Sequence, residues 1–254
     1  MKIFFLLFAV TLLFNLPSVA KQHSTIQKII EQSKYCQPNF YFSKEDIESS
    51  DKNLRFLDKT ALLLNYKKAD YWYFHSKEMN LIPLNLCALR GNKKYYKDEN
   101  KRFLRELRIS TIINLDFLAH TKVKGKTIGF KYLFTPITPS AYPTGESIKL
   151  LLHALTALSE ATPEERVYIS CFSGKHRTSL LSAMYQFLGE YSNHLIDACN
   201  NAANDKDKGY LQAELIANQG ILTYNMPSKY KEFYEDFTKA VCEEKSEEFF
   251  QNLI

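Results

Sequence analysis

Three observations predict an α/β fold for the larger part of this chain, with a central, mostly parallel sheet flanked by helices. From about residue 80 onward, short β-branched apolar runs alternate with stretches whose apolar residues recur at helical spacing. Two of these runs, "STIINLDF" (110–117) and "RVYIS" (166–170), are largely apolar, as strands covered on both faces are. Strand, helix, strand, turn and helix then follow one another, which is the grammar of a parallel sheet.

The elements can be justified in order. Residues 1–20, "MKIFFLLFAVTLLFNLPSVA", carry one lysine, a run of large apolar residues, Pro17 and the small-x-small ending Ser18-Val19-Ala20. That pattern reads as a secretory signal peptide, with the mature chain beginning at Lys21 and exported, either periplasmic or secreted. Its apolar run is short for a membrane span, and no later stretch is long and apolar enough for stable membrane insertion. Residues 21–79 read as an N-terminal extension or cap, mostly helical. Within it, "STIQKIIEQSKY" (24–35) puts Ile26, Ile29 and Ile30 on one face of a short helix, and 58–79 is helical in its first half. The cluster Tyr71–Phe74 in that segment reads as core or lid.

Residues 80–254 hold the predicted α/β domain. "LIPLNLCAL" (81–89) is a candidate strand. "YYKDENKRFLRELRI" (95–109) is a helix with Phe103, Leu104 and Leu107 inward, and it precedes the strand at 110–117. Residues 126–137 supply one or two more strands, and 143–160 a strongly amphipathic helix. "TPEE" (162–165) is a turn with Thr162 as cap and Pro163 first inside, placed just before "RVYIS". Beyond Gly189 the chain reads as helical, over 192–203, 210–218 and 227–240, the last opened by Pro227.

The formal net charge is +5, falling to +4 once Lys2 leaves with the signal segment. So mild an excess does not point to nucleic acid, and no arginine-rich tail, zinc-finger spacing or RNA-binding signature is present. The five cysteines, Cys36, Cys87, Cys171, Cys199 and Cys242, form no CxxC pair, so no metal site is expected. In an oxidising compartment an odd count leaves at least one thiol unpaired or paired between molecules. Cys171 is expected to be the free one, and the other four allow three pairings.

Chemistry concentrates in "CFSGKHRT", residues 171–178. In a parallel sheet, sites form beyond the carboxyl ends of the strands, and Cys171 sits at such an end. Gly174 permits a tight turn in which successive N–H groups from Phe172, Ser173, Gly174, Lys175, His176 and Arg177 line an anion nest. The following helix aims its positive end at the same place. Arg177 adds a planar fork matched to two phosphate oxygens. Amide dipoles, the helix end and three basic side chains all favour the thiolate. The chemistry implied is attack of sulfur on phosphorus, a phosphocysteine, and hydrolysis by water.

The run Cys171-x5-Arg177-Thr178 resembles the signature of the cysteine-based protein tyrosine phosphatase superfamily. Its basic interior, "SGKHRT", is similar to the dual-specificity, atypical and inositide-directed branches. "FLRELRISTIINLDF" also resembles their helix, turn and Asn-Leu strand. The likeness spans roughly residues 80 to 190. It implies a dual-specificity-phosphatase-like fold, no cofactor, Cys171 as nucleophile, Arg177 as phosphate clamp, and Thr178 supporting the thiolate and phosphoenzyme breakdown. The implied substrate is a phosphorylated protein or an inositol phosphate, with Lys175 and His176 suited to a crowded polyanion.

Two departures qualify the resemblance. The family's histidine before the nucleophile is here Ser170. The family's general-acid loop corresponds to "TPITPSAYPTGES" (135–147), which contains no Asp; none occurs between Asp116 and Asp197. Glu146 at the next helix start and Asp116 at the end of the Asn-Leu strand are the candidate acids. Their plainer roles are a helix cap for Glu146 and a turn residue for Asp116. Alternatively the leaving group needs little protonation. A catalytically weak phosphate-binding module is the second reading. Cys87 is either a reversible disulfide partner for Cys171 or an inert buried cysteine. Arg90 is either a phosphate ligand or a surface charge.

Overall fold

The computed structural model describes residues 25–33, 36, 82–96, 98–117, 129–193, 199 and 227–254. The expectations for 1–20, for 58–79 with its aromatic cluster, and for the helix at 210–218 lie outside the described residues. So does most of the helix expected at 192–203.

Five strands form one sheet: β1 (Ile82–Pro83), β2 (Ala88–Asn92), β3 (Ile109–Asn114), β4 (Lys131–Phe134) and β5 (Arg166–Cys171). Their order is β1-β2-β5-β3-β4, with β2, β5, β3 and β4 mutually parallel and the short β1 antiparallel at the edge. The predicted α/β class, a mostly parallel sheet flanked by helices, is the class observed. β5, which ends at Cys171, is central, so its carboxyl end opens between β2 and β3.

Strand alternation sends side chains to two layers. Ala88, Ile113, Val167, Ile169 and Cys171 belong to one large apolar cluster. That cluster is completed by α1 (Thr25–Ser33), α3 (Glu146–Ser159), α4 (His176–Asn193), α5 (Ser228–Cys242) and α6 (Ser246–Leu253). Leu89, Ile112 and Tyr168 alternate to the other side and are fully buried. There α2 (Asp98–Glu106) packs on β3, with Phe103 and Leu104 buried. Ile26, Ile29 and Ile30 of α1 are buried as the spacing predicts, packed against α3 and α4.

The single strand expected over 81–89 is instead a tight hairpin. Asn85 breaks it: its Oδ1 accepts the N–H groups of Cys87 and Ala88, both at 2.9 Å. A side chain that satisfies local amides competes with the ladder. Cys87 is bonded to Cys36 and Cys199 to Cys242, leaving Cys171 as the free thiol. Cys87 is therefore neither an inert thiol nor available to Cys171.

Candidate active site

β5 ends at Cys171, whose Sγ is buried at the mouth of the turn and lies 3.9 Å from Thr178 Oγ1. The turn reverses at Gly174, with φ of +72°. A Cβ there would stand 2.6 Å from the carbonyl carbon and oxygen of Gly91 and 2.9 Å from the nitrogen of Asn92. Glycine is needed twice over, for the left-handed backbone and for the bare contact with β2. The Lys175 carbonyl accepts the Ser179 N–H at 3.0 Å and the Thr178 hydroxyl at 3.2 Å. α4 starts at His176, so its unpaired N-terminal amides lie at the turn.

Arg177 is held by two neighbours. Its Nη1 donates to the Leu115 carbonyl at 2.9 Å, and its Nη2 faces Asp116 Oδ1 at 3.4 Å. Asp116 Oδ2 meets Lys93 Nζ at 3.4 Å. The Asp116 N–H donates to Asn114 Oδ1 at 3.0 Å, which fixes the chain as it leaves β3. The structure thus places Asp116 against Arg177, fully buried, with each carboxylate oxygen turned to a cation. That is the geometry of a counter-ion that orients the fork.

Lys93 was not singled out from the sequence. It follows β2, where Asn92 Oδ1 accepts the Lys94 N–H at 2.9 Å and turns the chain outward. Its ammonium also stands 3.8 Å from the centroid of the Phe172 ring. Phe172 and Phe117 are 58% and 66% exposed, and each directly follows a site residue. Of the remaining cup residues, Gly174 is buried, and Ser173, Lys175 and His176 are half-buried. Burial, then the charges of Lys175 and Arg177, lower the pKa of His176. Its imidazole therefore adds little positive charge near neutrality.

The loop over 135–145 is held from the opposite side. Thr135 N–H donates to the Asn114 carbonyl at 3.0 Å, and the Tyr230 hydroxyl of α5 donates to the Thr138 carbonyl at 2.7 Å. Tyr142 donates to Asp236 at 2.7 Å and packs edge-on against Phe233. Burial raises the Tyr230 hydroxyl to about 12, with the nearby Arg177 charge opposing the rise. Glu146 is exposed on the first turn of α3; that helix has Gly145 as its N-cap and no side-chain cap bond. The capping role considered for Glu146 is therefore not filled.

Arg90 is not a surface charge. It is 2% exposed and sits behind the turn, bonded to Ser179. Ser170 stands directly before Cys171, and its hydroxyl donates to the Ile113 carbonyl at 3.3 Å.

No family model and no curated protein matches the chain. Solved structures are similar to it. The crystal structure of P. aeruginosa TpbA has a TM-score of 0.42 and 16% identity, over 65% of this chain and 91% of that one. A variant of TpbA in complex with pTyr has a TM-score of 0.43 and 15% identity, over 65% and 90%. The core catalytic domain of the PP-IP phosphatase SIW14 from S. cerevisiae, in complex with citrate, has a TM-score of 0.39 and 18% identity, over 68% and 95%.

Proposed function

We propose that this chain is an exported phosphatase that uses Cys171 as its nucleophile. The observation that carries the reading is the joint placement of Cys171, Thr178 and a pre-aimed Arg177 around one glycine turn. The Cys171 thiolate attacks phosphorus, and the bond from phosphorus to the leaving oxygen breaks. That oxygen leaves with a proton taken from solvent or a nearby donor. Water then attacks the phosphocysteine, the P–S bond breaks, and inorganic phosphate and the thiolate are released. Arg177 and the loop amides hold the equatorial oxygens throughout. Two disulfides suit a chain that matures in an oxidising compartment, which supports the export reading.

The substrate we propose is an aryl phosphate, such as phosphotyrosine in a protein. Phe117 and Phe172 offer exposed rings at the mouth for an aromatic group. A phenolic oxygen, with a pKa of about 10, also leaves with less help than an alkoxide does. That fits a loop over 135–145 without a carboxylate.

The test is turnover of an aryl phosphate and of a phosphotyrosine peptide by the full chain. Cys171→Ser is expected to abolish it, and acid quench is expected to trap a phosphocysteine in the parent. Faster release from an inositol phosphate would overturn the aryl assignment. Binding of phosphorylated ligand with no turnover would favour the second reading, a phosphate-binding module, which the missing acid motivates.

A further inference from the structure

β2 brings a buried guanidinium to the back of the cup. Arg90 is in register with Ile169, so it shares the face that carries Val167, Ile169 and Cys171. That face is covered by α4. Arg90 Nη1 donates to Ser179 Oγ at 2.5 Å, and the same hydroxyl donates to the Lys175 carbonyl. With the Thr178 hydroxyl and the Ser179 N–H, this carbonyl receives three donors. It is thereby held toward α4, away from the mouth. One residue further along β2, Gly91 packs directly on Gly174. Ser170, by contrast, directs its hydroxyl to β3 and lends the turn no side-chain support.

We propose that Arg90 is a positioning residue. Acting through Ser179 and the Lys175 carbonyl, it fixes the Cys171–Arg177 turn in its anion-binding shape and sets a permanent positive charge beneath it. A guanidinium does not lose its proton, so this charge is constant across the working pH range. Among the described residues, the other charged or titratable groups around the turn are Lys175, His176 and Arg177 from the turn and α4, Lys93 after β2, Asp116 after β3, and the Tyr230 hydroxyl from α5. Arg90 adds to these from below. The role takes its catalytic meaning from the phosphatase reading above, while the shaping of the turn does not depend on turnover.

The test uses the full chain with three substitutions: Arg90→Met, which keeps most of the volume; Arg90→Lys, which keeps the charge; and Ser179→Ala, a small change that cuts the relay. Two readouts need no turnover: the rate of Cys171 alkylation by iodoacetamide as a function of pH, and its protection by inorganic phosphate. The other four cysteines are disulfide-bonded, so the signal belongs to Cys171. In Arg90→Met the alkylation profile is expected to move to more alkaline pH, slowing the reaction about tenfold on the acidic side. Phosphate protection should weaken about tenfold. Arg90→Lys should restore most of the profile and little of the protection, because an ammonium lacks the fork. Ser179→Ala should lose protection with the profile nearly unmoved. Should Arg90→Met fail to fold by circular dichroism, Ser179→Ala decides. A wild-type profile in folded Arg90→Met, or wild-type protection in Ser179→Ala, overturns the proposal. A parent with the expected profiles but no turnover would instead overturn the phosphatase reading alone.

Discussion

The end of β2 and the loop over 135–145 flank the same cup, and they are built differently. The β2 side spends four consecutive residues on the turn: Arg90 through Ser179, Gly91 against Gly174, Asn92 in the turn that follows, and Lys93 beside Phe172 and Asp116. Two of those are cations, and one is a backbone contact that tolerates no side chain. The opposite loop offers hydroxyls and carbonyls, tied to α5 by Tyr142 and Tyr230, and no carboxylate of its own. Gripping a phosphate needs fixed charge and a fixed backbone, and one side is shaped for that. Protonating a leaving group needs a titrating acid, which the other side lacks. On the phosphatase reading proposed above, the difference teaches that more structure goes to holding the transferring group than to helping its partner leave.

Substitutions can break that comparison, beginning with the largest effect. Gly174→Ala forces a left-handed alanine and a Cβ into Gly91, and should lower kcat/KM at least about a hundredfold while far-UV circular dichroism is retained. Near-normal turnover would mean that β2 does not shape the turn. Asp116→Asn loosens Arg177 and should cost about tenfold in kcat/KM. Its pH–rate profile should keep both limbs; loss of the alkaline limb would instead make Asp116 the proton donor. On the other side, Tyr230→Phe leaves the Thr138 carbonyl unmet and should cost about 1 kcal/mol in a urea melt, with activity changed less than about threefold.

His176 gives a smaller, signed effect. Its pKa is lowered in the folded state, so the unfolded chain binds more protons just below its ordinary value of 6.5. Its contribution is present above that value and is lost as pH falls toward the lowered one. His176→Gln should therefore flatten the fall in stability on mild acidification, as urea midpoints on either side would show. Glu146→Gln should change nothing measurable, since the side chain is exposed and caps nothing. A drop of about a hundredfold would make Glu146 the missing acid and erase the contrast between the two sides.

The turn itself was legible because its parts are neighbours in the chain. Cysteine, glycine, arginine and threonine over residues 171–178 need only local geometry to converge. Asp116 was found as a strand-end carboxylate, though its pairing with Lys93 and Arg177 depends on three segments meeting. Arg90 was misread because nothing local says what lies across from it. The signal was an arginine inside the otherwise apolar "LCALRG", in a strand whose every residue is buried. Lys93 and Phe117 carried no such mark. The hairpin at 82–92 was missed because Asn85 looks like an ordinary polar residue until its carbonyl meets two amides. The cysteine pairings are set by tertiary approach, across separations of 51 and 43 residues, which spacing alone does not encode.

Those pairings bear on how Cys171, the proposed nucleophile, ages. An oxidised cysteine is commonly rescued when a neighbouring thiol condenses with its sulfenic acid. Here the other four cysteines are already bonded in pairs, Cys87 to Cys36 and Cys242 to Cys199. With no internal thiol to meet it, a sulfenic acid at Cys171 is restored by a small thiol from outside or advances to the irreversible sulfinic form, unless a backbone nitrogen captures it as a sulfenamide. Reductant strong enough to open the two bonds and reductant mild enough to restore the nucleophile are separate reagents, and peroxide exposure becomes a one-way clock for this molecule unless the second is supplied.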